Sequence, residues 1–346
     1  MSDARSLLDY LVAAHLGEDR AAWLVGSLDL HPALVEPARP GRHPTRAVVS
    51  QALGILLLDD LLGRVRSGAD YARDRVAAGH RLHLDHGAVR TVSGVATGDL
   101  PPGQESLTRA LAALGYAHRY TYDLARLKMT GRSWCHLDLP ADVPQYFISE
   151  LHADRFSEPF QAVATSVLAT SKDPITPEAH RSLVRLANTD DHTLHYDEAE
   201  ALLPVLVACF SRQHDLPTLA DYEALLAESD EMAWISTEGT AFNHATDRVD
   251  DVVAVAEAER TAGRPIKDKV EVSGSGRIIQ TAHRAAPVVH RFRTGDNGRT
   301  VDRTVPGSFF ELITRKPLPD GSGVDLAFDA ANAQEIFTMT SGGGGS

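Results

Sequence analysis

Apolar residues recur three and four positions apart along SLLDYLVAAHLG, residues 6–17, which predicts an amphipathic helix stopped by Gly17. The stretch HPALVEPARPGRHP, residues 31–44, is punctuated by proline and glycine and predicts a loop. A second helical region runs over residues 45–80, with Thr45 placed to cap its start. The period then shortens. RLHLDHGAVRTVSGV, residues 81–95, alternates in part, carries valine and threonine and ends at glycine, so it predicts a strand. A helix at residues 103–116 and strands at 118–127, 133–140 and 144–156 follow.

Residues 157–229 return to helical spacing in four successive segments. Beyond them WISTEGTAFNHATDRV, residues 234–249, is strand-like, and VDDVVAVAEAERTAG, residues 249–263, is an amphipathic helix. Residues 269–293 and SFFELITRKP, residues 308–317, predict strands again. No short repeat is present, but a histidine-bearing strand followed by a helix and more strands occurs near residue 86 and again near residue 244. This coarse echo predicts an α+β fold of two related modules, about 81–156 and 231–330. A helical part (1–80) precedes them and a helical insert (about 157–230) separates them, within one catalytic domain, 1–340. The SGGGGS tail, residues 341–346, reads as a linker.

Composition narrows the function. Forty-seven acidic against 34 basic residues give a net charge of −13, which argues against nucleic acid and anionic membrane as partners. There are two cysteines, no basic leader with an apolar core, and no apolar run near the ~18 residues of a membrane span; a reducing cytoplasm is expected.

Candidate chemistry begins in the strand at 81–95. Residues two apart share a strand face, so His86, Ala88 and Arg90 point one way and His83, Asp85 and Val89 the other. His86 and Arg90 are about 13 Å apart along the strand, room for a small organic acid between a metal at the histidine and a guanidinium that binds carboxylate bidentately. The competing reading is a satisfied core histidine beside an arginine that reaches solvent. His244, in AFNHATDRV, carries little signal alone. Glu311, in SFFELITRKP, is flanked by Phe309, Phe310, Leu312 and Ile313; a carboxylate there pairs, ligates a metal or faces water at a sheet edge, and Arg315 shares its face. Together, His86, His244 and Glu311 would form a two-histidine, one-carboxylate set of the kind that holds non-haem Fe(II) with open positions. His152, Asp154 and Glu158 in SELHADRFSE read as supporting structure. His192 and His195 in DDHTLHYDEAE read as a solvated turn.

LDHGAVRTV, YFISELHADRFSEPF, FNHATDRV and SFFELITRKP, in this order between residues 80 and 317, resemble the 2-oxoadipate dioxygenase/decarboxylase (hydroxyglutarate synthase) family of the vicinal oxygen chelate superfamily. The resemblance implies two βαβββ-type modules forming a partly open β-barrel around a metal. It implies Fe(II) held by His86, His244 and Glu311, and Arg90 gripping a substrate carboxylate. In SGSGRIIQTAHRAAP it implies a pocket-lining strand bearing Ser273, Ser275 and Gln280. The implied reaction takes a 2-oxo acid and O2 through oxidative decarboxylation and hydroxylation of the same molecule to a 2-hydroxy acid. A metal-dependent isomerase or lyase on a small organic acid, and a metal-free binding protein, are the alternatives. Longer family members continue well past the glutamate; 346 − 311 = 35 residues follow it here, which leaves the far end of the substrate open.

Overall fold

The computed structural model describes residues 5–295 and 299–329. The predicted linker at 341–346 lies outside them. Four helices come first: α1 (Leu7–Leu16), α2 (Glu18–Ser27), α3 (Arg46–Arg64) and α4 (Arg66–Ala77). Thr45 caps α3 by accepting from the Val48 amide, as its position predicts. The helical region expected over 45–80 is made of two helices. Val65 is fully buried and leaves helical geometry (φ −114°, ψ 87°), which turns α4 so that it packs on the last strand of the sheet.

The first module is β1 (Leu84–Ser93), α5 (Glu105–Ala113), β2 (Tyr116–Leu124), β3 (Met129–His136) and β4 (Gln145–His152). Helices α6 (Glu158–Leu168), α7 (Pro177–Asn188), α8 (Tyr196–Ala208), α9 (Leu219–Leu226) and α10 (Asp230–Glu238) intervene. The second module is β5 (His244–Arg248), α11 (Val252–Thr261), β6 (Glu271–Val272), β7 (Ile278–Ala282) and, after the hairpin β8 (Pro287–Thr294) and β9 (Arg299–Pro306), β10 (Phe309–Arg315).

One expectation changes here. Residues 234–238 belong to α10, not to a strand. Every residue from Glu231 to Glu238 is buried, so this helix has no polar face to reveal its period, and its β-branched residues imitate a strand. Ser229 caps it, and Gly239 ends it at φ 65°. The run 269–293 forms strands as expected, three of them, with Gly276 (φ 67°) turning the chain between β6 and β7.

The eight-stranded sheet has the order β2-β3-β4-β1-β5-β10-β7-β6. Read outward from the centre, its two halves are the same. β1 pairs parallel with β4, and β5 parallel with β10; each is followed by two antiparallel neighbours. The halves meet where β1 and β5 run antiparallel. The sheet curls into a half-barrel. α3, buried along most of its length, supports one side of it together with Leu84, Val89, Ile148 and Leu312.

Candidate metal centre and cavity

The central strands place the three proposed ligands. His86 comes from β1, His244 from the neighbouring β5 and Glu311 from β10 on the other side of β5. All three are buried, and each offers a ligand atom within 4.8 Å of the other two. His86 Nε2 lies 3.1 Å and His244 Nε2 3.4 Å from the same Glu311 oxygen, Oε2. Neither ring nitrogen of His244 has a hydrogen-bond partner, nor has Glu311 Oε1. Leaving a buried polar atom unsatisfied costs about 1–3 kcal/mol, a cost that a cation at this point removes. Two imidazole nitrogens and a carboxylate are also a donor set that suits Fe(II). The residues present therefore fit a divalent metal.

The register explains why there are three candidate ligands and not four among the described residues. His86 begins a β1 segment in which Ala88, two residues on, pairs with Phe147 on β4. His244 begins the matching β5 segment, in which Thr246, two residues on, pairs with Glu311 on β10. Phe147 thus stands where the symmetry of the modules would put a second Glu311. An apolar ring there offers no donor to a metal.

Neighbouring groups fix the protonation of the ligands. The Thr246 hydroxyl donates to Glu311 Oε2 at 2.6 Å, so its single proton is committed there. Asp85 Oδ1 is 2.8 Å from His86 Nδ1. Burial raises the Asp85 pKa, but the Arg315 and Arg248 guanidiniums and His86 outweigh it and hold the carboxyl well below its usual value. An ionised Asp85 accepts, so His86 Nδ1 carries a proton, which leaves Nε2 as the nitrogen that would face a metal. Arg315 grips Asp85 with two nitrogens, at 2.8 and 2.9 Å, and Arg248 adds a third contact at 2.6 Å.

Strict alternation puts Asp85 on the face opposite His86, yet the two side chains touch. The β1–β5 register shifts between Leu84 and His86, and this bulge turns Asp85 toward its neighbour. Arg315 accordingly pairs with Asp85, which the spacing with Glu311 did not suggest. No sequence signal marks the bulge.

A cavity opens beside the three candidate ligands. Arg90 and Gln280 line it, as do Ser149 and Asn243, which the sequence did not single out. Asn243 Oδ1 is buried without a partner. Phe147 and Phe328 supply an apolar wall, with the Phe328 ring 4.8 Å from His86. The chain after β10 is tied down by Arg315, whose guanidinium donates to the Asp325 and Ala327 carbonyls, and by the Phe328 amide, which donates to the Tyr122 hydroxyl.

Ser275 does not line this cavity. It is exposed in the β6–β7 turn, where it contacts Ser273 and accepts from the Arg277 amide; Ser273 accepts from the Ile278 amide. Both serines fasten the turn, and the alternation of β7 aims Gln280 inward. His152 contacts Ser93 and Thr130, outside the cavity lining. His192 meets the Leu186 carbonyl, and His195 packs edge-on against His43.

Two βαβββ modules joined edge to edge, with metal-ligand types on the first strand of each and on the last strand of the second, define a protein of the vicinal oxygen chelate class. Residues 63–336 match the family model of 2-oxoadipate dioxygenase/decarboxylase, and the chain belongs to that family. Among solved structures it is similar to a glyoxalase superfamily protein of Ralstonia eutropha JMP134, with 47% identity, TM-score 0.88, and coverage of 94% of this chain and 98% of that one. The hydroxyglutarate synthase of Oryza sativa, solved with 2-oxoadipate, shares the fold at 19% identity and TM-score 0.67, over 89% of this chain and 98% of that one. The Pseudomonas putida hydroxyglutarate synthase, also solved with 2-oxoadipate, aligns at 19% identity and TM-score 0.57, over 85% and 72%. Comparison with curated proteins gives no match. No described helix is long and apolar enough to cross a membrane.

Proposed function

We propose that the protein is an Fe(II)-dependent dioxygenase that oxidatively decarboxylates a 2-oxo acid such as 2-oxoadipate and hydroxylates the same molecule. Overall, 2-oxoadipate and O2 would give 2-hydroxyglutarate and CO2. The observation that carries this reading is the convergence of His86, His244 and Glu311 at one wall of a cavity that Arg90 also lines. The three side chains would hold the metal. Bound there, Fe(II) supplies open coordination positions and the redox chemistry that O2 requires.

The remaining residues bind and orient. Arg90 presents a planar donor fork to the carboxylate at the far end of the acid. Gln280, Ser149 and Asn243 offer hydrogen bonds along the cavity. Phe147 and Phe328 keep water away from the reacting end, where a dry surrounding strengthens each electrostatic contact. Asp85 holds the His86 ring and keeps its proton on Nδ1.

The test is anaerobic Fe(II) reconstitution followed by O2-electrode assays with dicarboxylic, aromatic and branched 2-oxo acids. Substrate-dependent O2 uptake with stoichiometric CO2 is expected, and His86→Ala, His244→Ala and Glu311→Ala should each lose iron and turnover. Reaction of the acid without O2 uptake would replace this reading with a metal-dependent isomerase or lyase. Retention of the parental rate by the triple variant would end it.

A further inference from the structure

Arg90 is not alone at the cavity wall. Its Nη2 lies 2.9 Å from Glu231 Oε2, and its guanidinium sits 4.7 Å from the centre of the Trp234 ring. Both partners belong to α10, the helix that the sequence disguises as a strand. Arg90 is 1% and Glu231 4% exposed, so this ion pair is buried almost completely. Arg90 faces the cavity, and Glu231 is absent from its lining. The carboxylate therefore backs the guanidinium and keeps it charged and aimed in a low-dielectric setting.

That arrangement meets a difficulty when an acid arrives. One guanidinium would then face two carboxylates, one from the protein and one from the ligand, in a buried space. Two like charges so placed do not both stay ionised at little cost. From β1 the charge facing Glu231 is that of Arg90; on its own helix it is that of Asp230. The titratable group of α9 near this end is Tyr222, which burial and the Asp230 carboxylate push up. Neither Asp230 nor Tyr222 offers positive charge to offset a second anion.

We infer that Glu231 is a positioning residue for Arg90, and that it takes up one proton when a substrate carboxylate binds the guanidinium. The proton goes to the Glu231 carboxylate from solvent, and the ligand carboxylate replaces the lost negative charge beside Arg90. The inference rests on the reading of Arg90 as the anchor of the far carboxylate. Consistent with it, burial pushes the Glu231 carboxyl up to about 7 before any ligand is present, against the opposing pull of Arg90. Above that pH Glu231 is ionised in the free protein, so binding requires proton uptake and weakens as pH rises. Below it the group is already protonated, and binding becomes independent of pH. One coupled proton makes the limiting slope about tenfold per pH unit.

Calorimetry on the Fe(II)-loaded protein without O2, in buffers of different ionisation enthalpy at pH 8, counts the protons. Two probes separate the far carboxylate from metal chelation: 2-oxoadipate and 2-oxohexanoate, which lacks it. We expect close to one more proton taken up with 2-oxoadipate than with 2-oxohexanoate, and no such difference in Glu231→Gln. The KM for 2-oxoadipate should rise up to tenfold per unit above pH 7 in the parent and stay flat in Glu231→Gln, while kcat follows the same pH profile in both. Equal proton counts for the two acids in the parent would overturn the inference even if the variant did not fold. Tight binding of both acids with that result leaves the functional reading standing. If 2-oxohexanoate alone fails to bind, the count is read between proteins, with about one proton fewer for 2-oxoadipate in Glu231→Gln than in the parent expected and an equal count overturning the inference; failure of 2-oxoadipate to bind would sink the functional reading, and this inference with it.

Discussion

At the residue scale, Asp85 determines more than its position suggests. Its side chain has no solvent exposure and is shared among His86, Arg315 and Arg248. The sequence made His86, Arg90 and Glu311 visible because each is a polar residue in an apolar strand, where burial without purpose is costly, whereas His244 carried little signal alone and entered only with the two-histidine, one-carboxylate set. It hid Asp85 because alternation assigns that residue to the wrong face and a bulge is not written in composition. Replacing Asp85 by Asn keeps the shape but removes the negative charge. Two arginines then lose their buried counter-ion, which costs on the order of 3–5 kcal/mol. The His86 ring then faces an amide that can donate as well as accept, so its tautomer is no longer fixed, and metal affinity should fall by about 10–100-fold. Chemical denaturation and chelator competition measure the two effects separately. An Asp85→Asn protein with parental stability and metal affinity would show that the carboxylate does neither job.

At the element scale, the seam between β1 and β5 brings His86 and His244 together, and its closeness depends on Gly87. A Cβ built there would meet the Phe242 ring at 2.1–2.7 Å. Phe242 is buried and packed against Tyr146 and Phe210, so its ring has little room to swing aside. Gly87→Ala should therefore destabilise the protein by about 1–3 kcal/mol or more through overpacking. Because the strain falls between two ligands, metal affinity should drop as well. A denaturant midpoint and a metal titration indistinguishable from the parent would refute this. The elements best read from sequence were those with one wet face: α1 and α11 keep a clean helical period. The element misread was α10, buried all round, which left no wet face to show its period.

At the scale of the whole molecule, the doubled module is the reason three distant residues can meet. Ligand separations of 244 − 86 = 158 and 311 − 244 = 67 residues have no local meaning. They acquire one when β1 and β5 pair across the pseudo-symmetric centre and β10 joins β5 in parallel. The echo of a histidine-bearing strand near residues 86 and 244 was legible; the hairpin β8–β9, inserted within the second module, was not, since nothing in its pattern marks it as outside the main sheet. A metal bound here links the two halves across their joint, and it binds the folded chain in preference to the unfolded one. At a free metal concentration a hundred times its dissociation constant, that linkage adds about 2.7 kcal/mol. For a chain of this length the added stability corresponds to a rise in Tm of ~4 °C. Scanning calorimetry with Fe(II) under anaerobic conditions should show the rise, reverse it with chelator, and find none in His244→Ala. An equal rise in that variant would mean that the metal stabilises the protein from some other place and that the joint between the modules is held by packing alone.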